Sequence, residues 1–262
     1  MAASFTKDTG GTLTNGLIRA YLMEGNANDA TGNSDGTGTS VAYNSSYGKR
    51  DQGVQVTPTS GVISTSSISQ SNSAFTISLW AKLANEIGSG IQHLWRDNNT
   101  NQNVSYSLYY KYNGGTRRIV INRGRRFVTD IDASYNVTLG TANYNHFLVT
   151  WNSPTMTLYY NGSNVASLND SGSSDSANPG QGFGIGNEMP TTNTSAWDGY
   201  IDEVYAWNRV LTATEISDLY NSGSGSFFIS TNLKSFNGLA KASIKNINGL
   251  ELANIKSVNG VT

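Results

Sequence analysis

Phe75-Thr76-Ile77-Ser78-Leu79-Trp80-Ala81 alternates apolar and small polar side chains over seven residues, the period-two signature of a strand with one face on a core. Working outward, the same pattern recurs in Tyr106-Ser107-Leu108-Tyr109-Tyr110, in Phe147-Leu148-Val149-Thr150-Trp151 and in Met156-Thr157-Leu158-Tyr159-Tyr160. The last of these runs into Asn161-Gly162, where both residues tolerate positive φ, so a tight hairpin is expected. Arg118 to Asn122 and Arg125 to Thr129 flank Arg123-Gly124, which suggests a second hairpin. Many short strands joined by Gly and Asn turns indicate an all-β, two-sheet antiparallel sandwich.

Composition agrees. Of 262 residues only 13% are charged, while Gly, Ser, Thr, Asn, Tyr and Trp are abundant, which suits strands and turns better than long amphipathic helices. A net charge of −1 argues against nucleic acid as a partner. The absence of cysteine excludes disulfides. The opening MAASFTKDTGGTLTNG has neither a basic nor an apolar signal region, and no stretch is long and apolar enough for membrane insertion, so either release by a route such as lysis or a signal missing from this sequence is expected.

The chain divides at sequence level into an N-terminal arm (1–15), a strand-rich body (16–223) and a linker plus tail (224–262). One short C-terminal helix is legible in the body. Thr212-Ala213-Thr214-Glu215 has capping-box spacing, Ile216, Leu219 and Tyr220 share a face, and Gly223 follows. After Ser222-Gly223-Ser224-Gly225-Ser226 comes a repeat of eleven: LKSFNGLAKAS, IKNINGLELAN, IKSVNGVT. Leu233, Ile244 and Ile255 align, as do Lys234, Lys245 and Lys256, and three Asn-Gly pairs. Each unit reads as a short strand entering a turn, too small to bury an apolar face alone.

Four stretches in order then carry a resemblance to the laminin-G-like, concanavalin A-like jelly rolls of bacteria and viruses. They are GLIRAYLMEGNANDATGN (16–33), FTISLWAK (75–82), NHFLVTWN with MTLYYNGSNVAS, and WDGYIDEVYAWNRVLTATEISDLYNSG (197–223). The resemblance implies two face-to-face antiparallel sheets, carbohydrate or protein ligands, and often a calcium ion at the rim. The tail is similar to repeats that end phage structural proteins.

Candidate chemistry is sparse. Glucanases of this fold carry a Glu-x-Asp-x-x-Glu strand, which is missing here, and Asp202-Glu203 are adjacent in a strand, so alternation points them to opposite faces. No catalytic residue is assigned and no enzyme is expected. His146 reads as a core residue. Asp29 in the Gly/Asn-rich turn and Asp202, which alternates with Val204 and Ala206, are the regions that the resemblance brings together, so a structural Ca²⁺ at Asp29, Asn33 and Asp202 is one reading. The other is that Asp29 caps its own turn and Asp202 takes backbone amides. Trp95 and Trp197 lie in polar surroundings, and Trp95 with Arg96 and Asp97 is read with Trp197 as a ligand rim. Arg117, Arg118, Arg123, Arg125 and Arg126 form either an anion patch or a solvated face split by alternation.

These readings give a non-catalytic structural or decoration protein of a virion surface. It would display a domain for cell-surface glycans and dock other virion proteins, or further copies, through residues 227–262. The alternative is a carbohydrate-binding module or adhesin domain on a bacterial surface.

Overall fold

A computed structural model describes residues 3–58, 61–68, 74–86, 88–98, 104–125, 131–170, 182–187 and 195–229, and four two-residue strands beyond them. In chain order the strands begin with β1 (Ser4–Phe5), β2 (Leu17–Tyr21), β3 (Thr37–Thr39), β4 (Val41–Asn44), β5 (Gly53–Val56) and β6 (Val62–Thr65). The long central strands are β7 (Ala74–Leu83), β8 (Gly90–Asn98), β9 (Val104–Asn113), β10 (Thr116–Arg125), β11 (Ile131–Asn136) and β12 (Asn145–Asn152). Then come β13 (Thr155–Tyr160), β14 (Ser163–Asn169), β15 (Gly182–Ile185), β16 (Gly199–Trp207), helix α1 (Ala213–Tyr220) and β17 (Phe228–Ile229).

Two antiparallel sheets form the sandwich. One runs β11-β10-β9-β8-β15-β6-β3, the other β14-β13-β12-β7-β16-β5-β4, with β2 also on β16. Alternation decides the core. Phe75, Ile77, Leu79 and Ala81 of β7 join Phe147, Val149 and Trp151 of β12 in the buried layer between the sheets, opposite Leu108, Ile119, Phe183 and Ile185. The Asn161-Gly162 hairpin forms as expected, with φ of 48° and 78°. The second hairpin turns elsewhere. Gly114 and Gly115, at φ 60° and 85°, make the turn between β9 and β10, and β10 continues through Arg123-Gly124, with Gly124 paired to Ser105. A Gly-Gly step is the better turn, since neither residue resists positive φ.

A second core lies on the outer face of the eight-stranded sheet. The capping box at Thr212 and Glu215 starts α1 as expected. The helix lays Ile216 and Leu219 over Leu148, Tyr205 and Trp207. The arm and the linker belong to this layer. Phe5, Leu13 and Phe228 are buried in it, and Ser4 and Phe5 pair with Ile229 and Phe228. The Leu13 carbonyl accepts the Trp207 indole N–H at 2.6 Å, and Ser226 Oγ donates to the Lys7 carbonyl at 2.5 Å. The Gly/Ser stretch at 222–226 is thus pinned by the apolar residues on either side of it. His146 is buried beneath the same face, its Nε2 at 2.8 Å from Ser78 Oγ.

In the tail, β18 (Ser235–Phe236) pairs with β19 (Leu239–Ala240), and β20 (Asn246–Ile247) with β21 (Leu250–Glu251). Phe236 opposes Leu239 and Ile247 opposes Leu250, so the pairing recurs with an offset of eleven residues. The third unit lies outside the described residues.

Candidate functional site

Residues 22–35, between β2 and β3, fold into a loop around Asp29. Asp29 Oδ1 accepts from the Ala20 amide (2.9 Å) and the Thr31 amide (3.0 Å). Oδ2 accepts from the amides of Asn33 (3.2 Å) and Ser34 (3.1 Å), and the Thr31 hydroxyl donates to the carboxylate at 2.8 Å. The Arg19 guanidinium lies 4.0 Å away. The loop's own amides are tied inward to this one buried carboxylate, and its other polar side chains line a cleft of about 560 Å³. Glu24, Asn26, Asn28, Asn33, Ser34 and Asp35 supply the donors and acceptors. Asn26 Oδ1 accepts from the Asn28 amide and Asp35 Oδ1 from the Asp29 amide. Burial pushes the Glu24 carboxyl above its usual range, against a hydrogen bond from the Gln52 amide.

Asp202 and Glu203 stand on β16 as a second acidic centre. The strand carries a bulge here: Asp202 pairs with Trp80 but Tyr205 with Ser78, so three steps on β16 match two on β7. Glu203 is the extra residue, at φ 52°. The bulge overturns the expectation of opposite faces: both carboxyls are buried, 0% and 1% exposed, and the charge of Glu203 acts on Asp202. The bulge also resets the alternation, so Ile201 and Val204 both reach the inter-sheet core. Asp202 Oδ2 accepts from the Lys49 and Arg50 amides (2.8 and 3.0 Å) and Oδ1 from the Glu203 amide (2.9 Å). The Tyr205 hydroxyl donates to Glu203, and Arg50 Nη1 lies 4.0 Å from it. Burial raises both carboxyls, Glu203 to about 8.

Calcium does not fit these residues. An ionised carboxylate offers about four lone-pair sites, and the donors on Asp29 occupy them. The oxygens of Asp202 are taken by three backbone amides. Among the described residues no three acidic, His or Cys side chains converge as a metal cage. Of the two readings of these aspartates, the turn-capping and amide-binding one describes the geometry.

The expected ligand rim is corrected as well. Trp95 and Trp197 are 0% exposed and belong to the core between the sheets. Asp97 is buried and accepts from Ser67 Oγ at 2.6 Å. Arg96 alternates to the other face of β8, opposite Ser107. The arginines split between faces, but not these two: Arg117 and Arg123 share one face of β10, where Arg123 is buried in an ion pair with Asp170 and lies over Trp151 at 5.0 Å and Arg117 meets Glu86 at 3.2 Å, while Arg118 alternates to the other face. Arg126 and the Arg125 side chain lie outside the described residues. Cleft residues Glu24, Asn26, Asn28 and Asp35 had one signal in sequence, the polar density of the turn itself. Glu203 had none, because nothing local announces a bulge without glycine.

Two antiparallel sheets, a helix on the outer face and a polar loop cleft define a lectin-like jelly roll. Residues 56–217 match the concanavalin A-like lectin/glucanases superfamily, and the chain belongs to it. The match begins after the cleft loop. No curated protein matches the chain in sequence. Among solved structures it is similar to domain 4 of a GH43 extracellular arabinanase from Geobacillus stearothermophilus, in complex with arabinotriose. There the identity is 18%, the TM-score 0.61, and 77% of this chain and 97% of that one are covered. It is also similar to botulinum neurotoxin type C, whose cell entry depends on interaction with two ganglioside molecules (16%, 0.61, 79% and 51%). A Trypanosoma rangeli sialidase is similar over 82% of this chain and 34% of its own (15%, 0.58). At these identities the likeness is one of fold. Among the described residues no helix is long and apolar enough to cross a membrane.

Proposed function

We propose that this protein is a non-catalytic glycan-binding domain displayed on a larger assembly, a virion surface in the reading favoured here, to which its C-terminal repeat attaches it. The observation that carries the binding half is the cleft at residues 22–35. Its lining of amides, a hydroxyl and separate carboxylates suits sugar hydroxyls, which are both donors and acceptors. Fold relatives solved with arabinotriose or dependent on gangliosides support the same ligand class. The non-catalytic half rests on Asp202 and Glu203. This adjacent carboxyl pair is sealed from water, and glycoside hydrolysis needs an acid and a nucleophile or base on either side of an accessible bond.

Attachment rests on the tail. Its strand pairs recur at an offset of eleven residues, a lysine recurs in the sequence with the same period, and among the described residues no further strand pairs with them, which leaves edges for another chain. The attachment segment begins after Ile229, because Phe228 is part of the folded layer.

The test combines a glycan array with truncation. The full chain should bind a subset of neutral glycans, and Asn28→Ala with Asp35→Ala should abolish that binding. Truncation after Ile229 should leave the melting transition in place and remove assembly. Hydrolysis of any arrayed glycan, or assembly of the truncated protein at the full-length level, would sink the corresponding half.

A further inference from the structure

The outer face of the eight-stranded sheet is covered by α1 and the two ends of the chain only over part of its width. Beyond that cover, one row of residues crosses four strands on the open side. Lys82 of β7 pairs with Tyr200 of β16, Tyr200 with Gln55 of β5, and Gln55 with Ala42 of β4. Tyr144 precedes β12 and extends the row past Lys82, since Asn145 pairs with Ala81. Tyr47 lies over the row, its ring stacked on Tyr200 with centroids 4.9 Å apart and planes at 27°.

Lys82 is held at the centre. Its ammonium sits 5.0 Å from the Tyr200 ring and 5.1 Å from the Tyr144 ring. It forms no ion pair and no hydrogen bond among the described residues. Of the acids beside the row, Asp198 is held by the Asn85 side chain at 3.0 Å, and Asp202, whose charge adds to burial in raising the Tyr144 hydroxyl, is occupied by three backbone amides. Tyr47, Tyr144, Tyr200, Lys82 and Gln55 are all half-buried, rigid enough to be pre-placed and open enough to be touched. The Tyr144 hydroxyl donates to the Tyr47 carbonyl and ties the two ends of the cluster together. The Tyr47 and Tyr200 hydroxyls have no partner among the described residues.

The backbone is shaped to permit this. A Cβ at Gly53 would meet the Tyr47 carbonyl oxygen at 2.1 Å, and one at Gly199 would meet the Lys82 carbonyl oxygen at 2.2 Å. Glycine at both positions lets the Tyr47 turn and strand β7 close onto their neighbours, which sets Tyr47 on Tyr200 and Tyr200 beside Lys82.

We infer that the row Tyr144–Lys82–Tyr200–Gln55, roofed on one side by Tyr47, is a binding site for an acidic saccharide. A pyranose ring lies across the row on the parts of the tyrosine rings that the Tyr47–Tyr200 stack and the Lys82 ammonium leave uncovered, and its carboxylate meets that ammonium. Aromatic rings offer flat apolar area at little entropic cost, and the lysine held between two of them is a cation with its carboxylate position open. Neighbouring strands are about 4.8 Å apart, so four positions span about 14 Å, the length of a short oligosaccharide. Uronates and sialates share the required chemistry. This site shares no residue with the 22–35 cleft and does not rest on it.

The experiment is calorimetric titration of the full-length protein with tetragalacturonate, with 3′-sialyllactose, and with lactose as the neutral control. Tetragalacturonate or sialyllactose should bind, more weakly as salt rises, and lactose should not bind at this row. Lys82→Met and Tyr200→Ala should each lower affinity by about tenfold or more, and Lys82→Arg should keep it within about threefold. Thermal unfolding of each variant confirms the fold. Asn28→Ala in the cleft should leave acidic-saccharide binding unchanged. The inference is overturned if neither acidic probe binds, if binding survives Lys82→Met, or if a poly-glutamate peptide binds as well as the saccharides. Loss in the Asn28 variant alone would overturn it while sparing the cleft.

Discussion

Glu203 and Glu215 are buried under the same outer layer, one on the sheet and one on the helix that covers it, and their environments push them in opposite directions. Glu215 receives Arg209 Nη2 at 2.6 Å and Nη1 at 2.8 Å, with Thr12 and Thr212 adding donors. The guanidinium holds its carboxyl down to about 2. Glu203 has Arg50 at 4.0 Å, beyond hydrogen-bond reach, and Glu24 and Asp51 add like charge, so burial dominates and lifts it to about 8. A buried carboxyl is stabilised as an anion when donors at hydrogen-bond distance outweigh its loss of hydration, as the arginine does for Glu215 and not for Glu203.

The largest expected effect is on pH dependence. Glu203 is raised from about 4.5, so the folded state holds its proton over the window from about 4.5 to 8 while the unfolded chain does not. Its contribution is full below pH 4.5 and is lost as pH rises toward 8. The slope is about 1.4 kcal/mol per pH unit, which accumulates to about 4 kcal/mol between pH 5 and pH 8. Urea unfolding of Glu203→Gln against wild type should show a shallower loss of stability between pH 5 and pH 8, with the share of Asp202 remaining; parallel curves for the two proteins would break the comparison. Glu215 works the other way, its contribution full above pH 4.5 and lost as pH falls through about 2. Stability from this pair therefore peaks near pH 4 to 5.

Next in size is Arg209→Ala. It strips the cation from a buried carboxylate and releases the carbonyls of Thr12 and Asn15, so a loss of about 3 kcal/mol at pH 7 is expected by chemical denaturation. The same scan at pH 3 should show a smaller loss, because Glu215 is then partly neutral in the variant. A deficit that does not change with pH would mean that the arginine acts through packing alone. The smallest effect is the metal. Excess calcium or chelator should move the melting temperature by less than about 1 °C, since a ligand stabilises only what it binds. A shift of several degrees would show that the Asp29 loop rearranges to take an ion.

The sequence disclosed the fold through local periodicity. Strands β7 and β12, the Asn161-Gly162 turn and the Thr212 cap each follow from residues within one turn of one another. What it hid was long-range. Trp95 and Trp197 have polar neighbours in sequence yet fill the core, because their surroundings come from other strands. The parity of β16 breaks at Glu203, so alternation gives the wrong face for half of that strand. The cleft was half legible: its polar turn stood out, but the inward use of Asp29 by the loop's own amides could not be separated from metal ligation without coordinates. The lysine–tyrosine row joins residues 47, 82, 144 and 200, and no local pattern connects them.

One pairing carries a consequence for handling the molecule. Because Ser4–Phe5 lies against Phe228–Ile229, the two ends of the folded body meet at one spot on its surface. The body is topologically close to a ring. A short linker between these ends, with new ends opened at the exposed Gly114-Gly115 turn, gives a circular permutant that keeps both sheets and their core. Equally, the whole sandwich can be spliced into a surface loop of a host protein, entering and leaving through the same point.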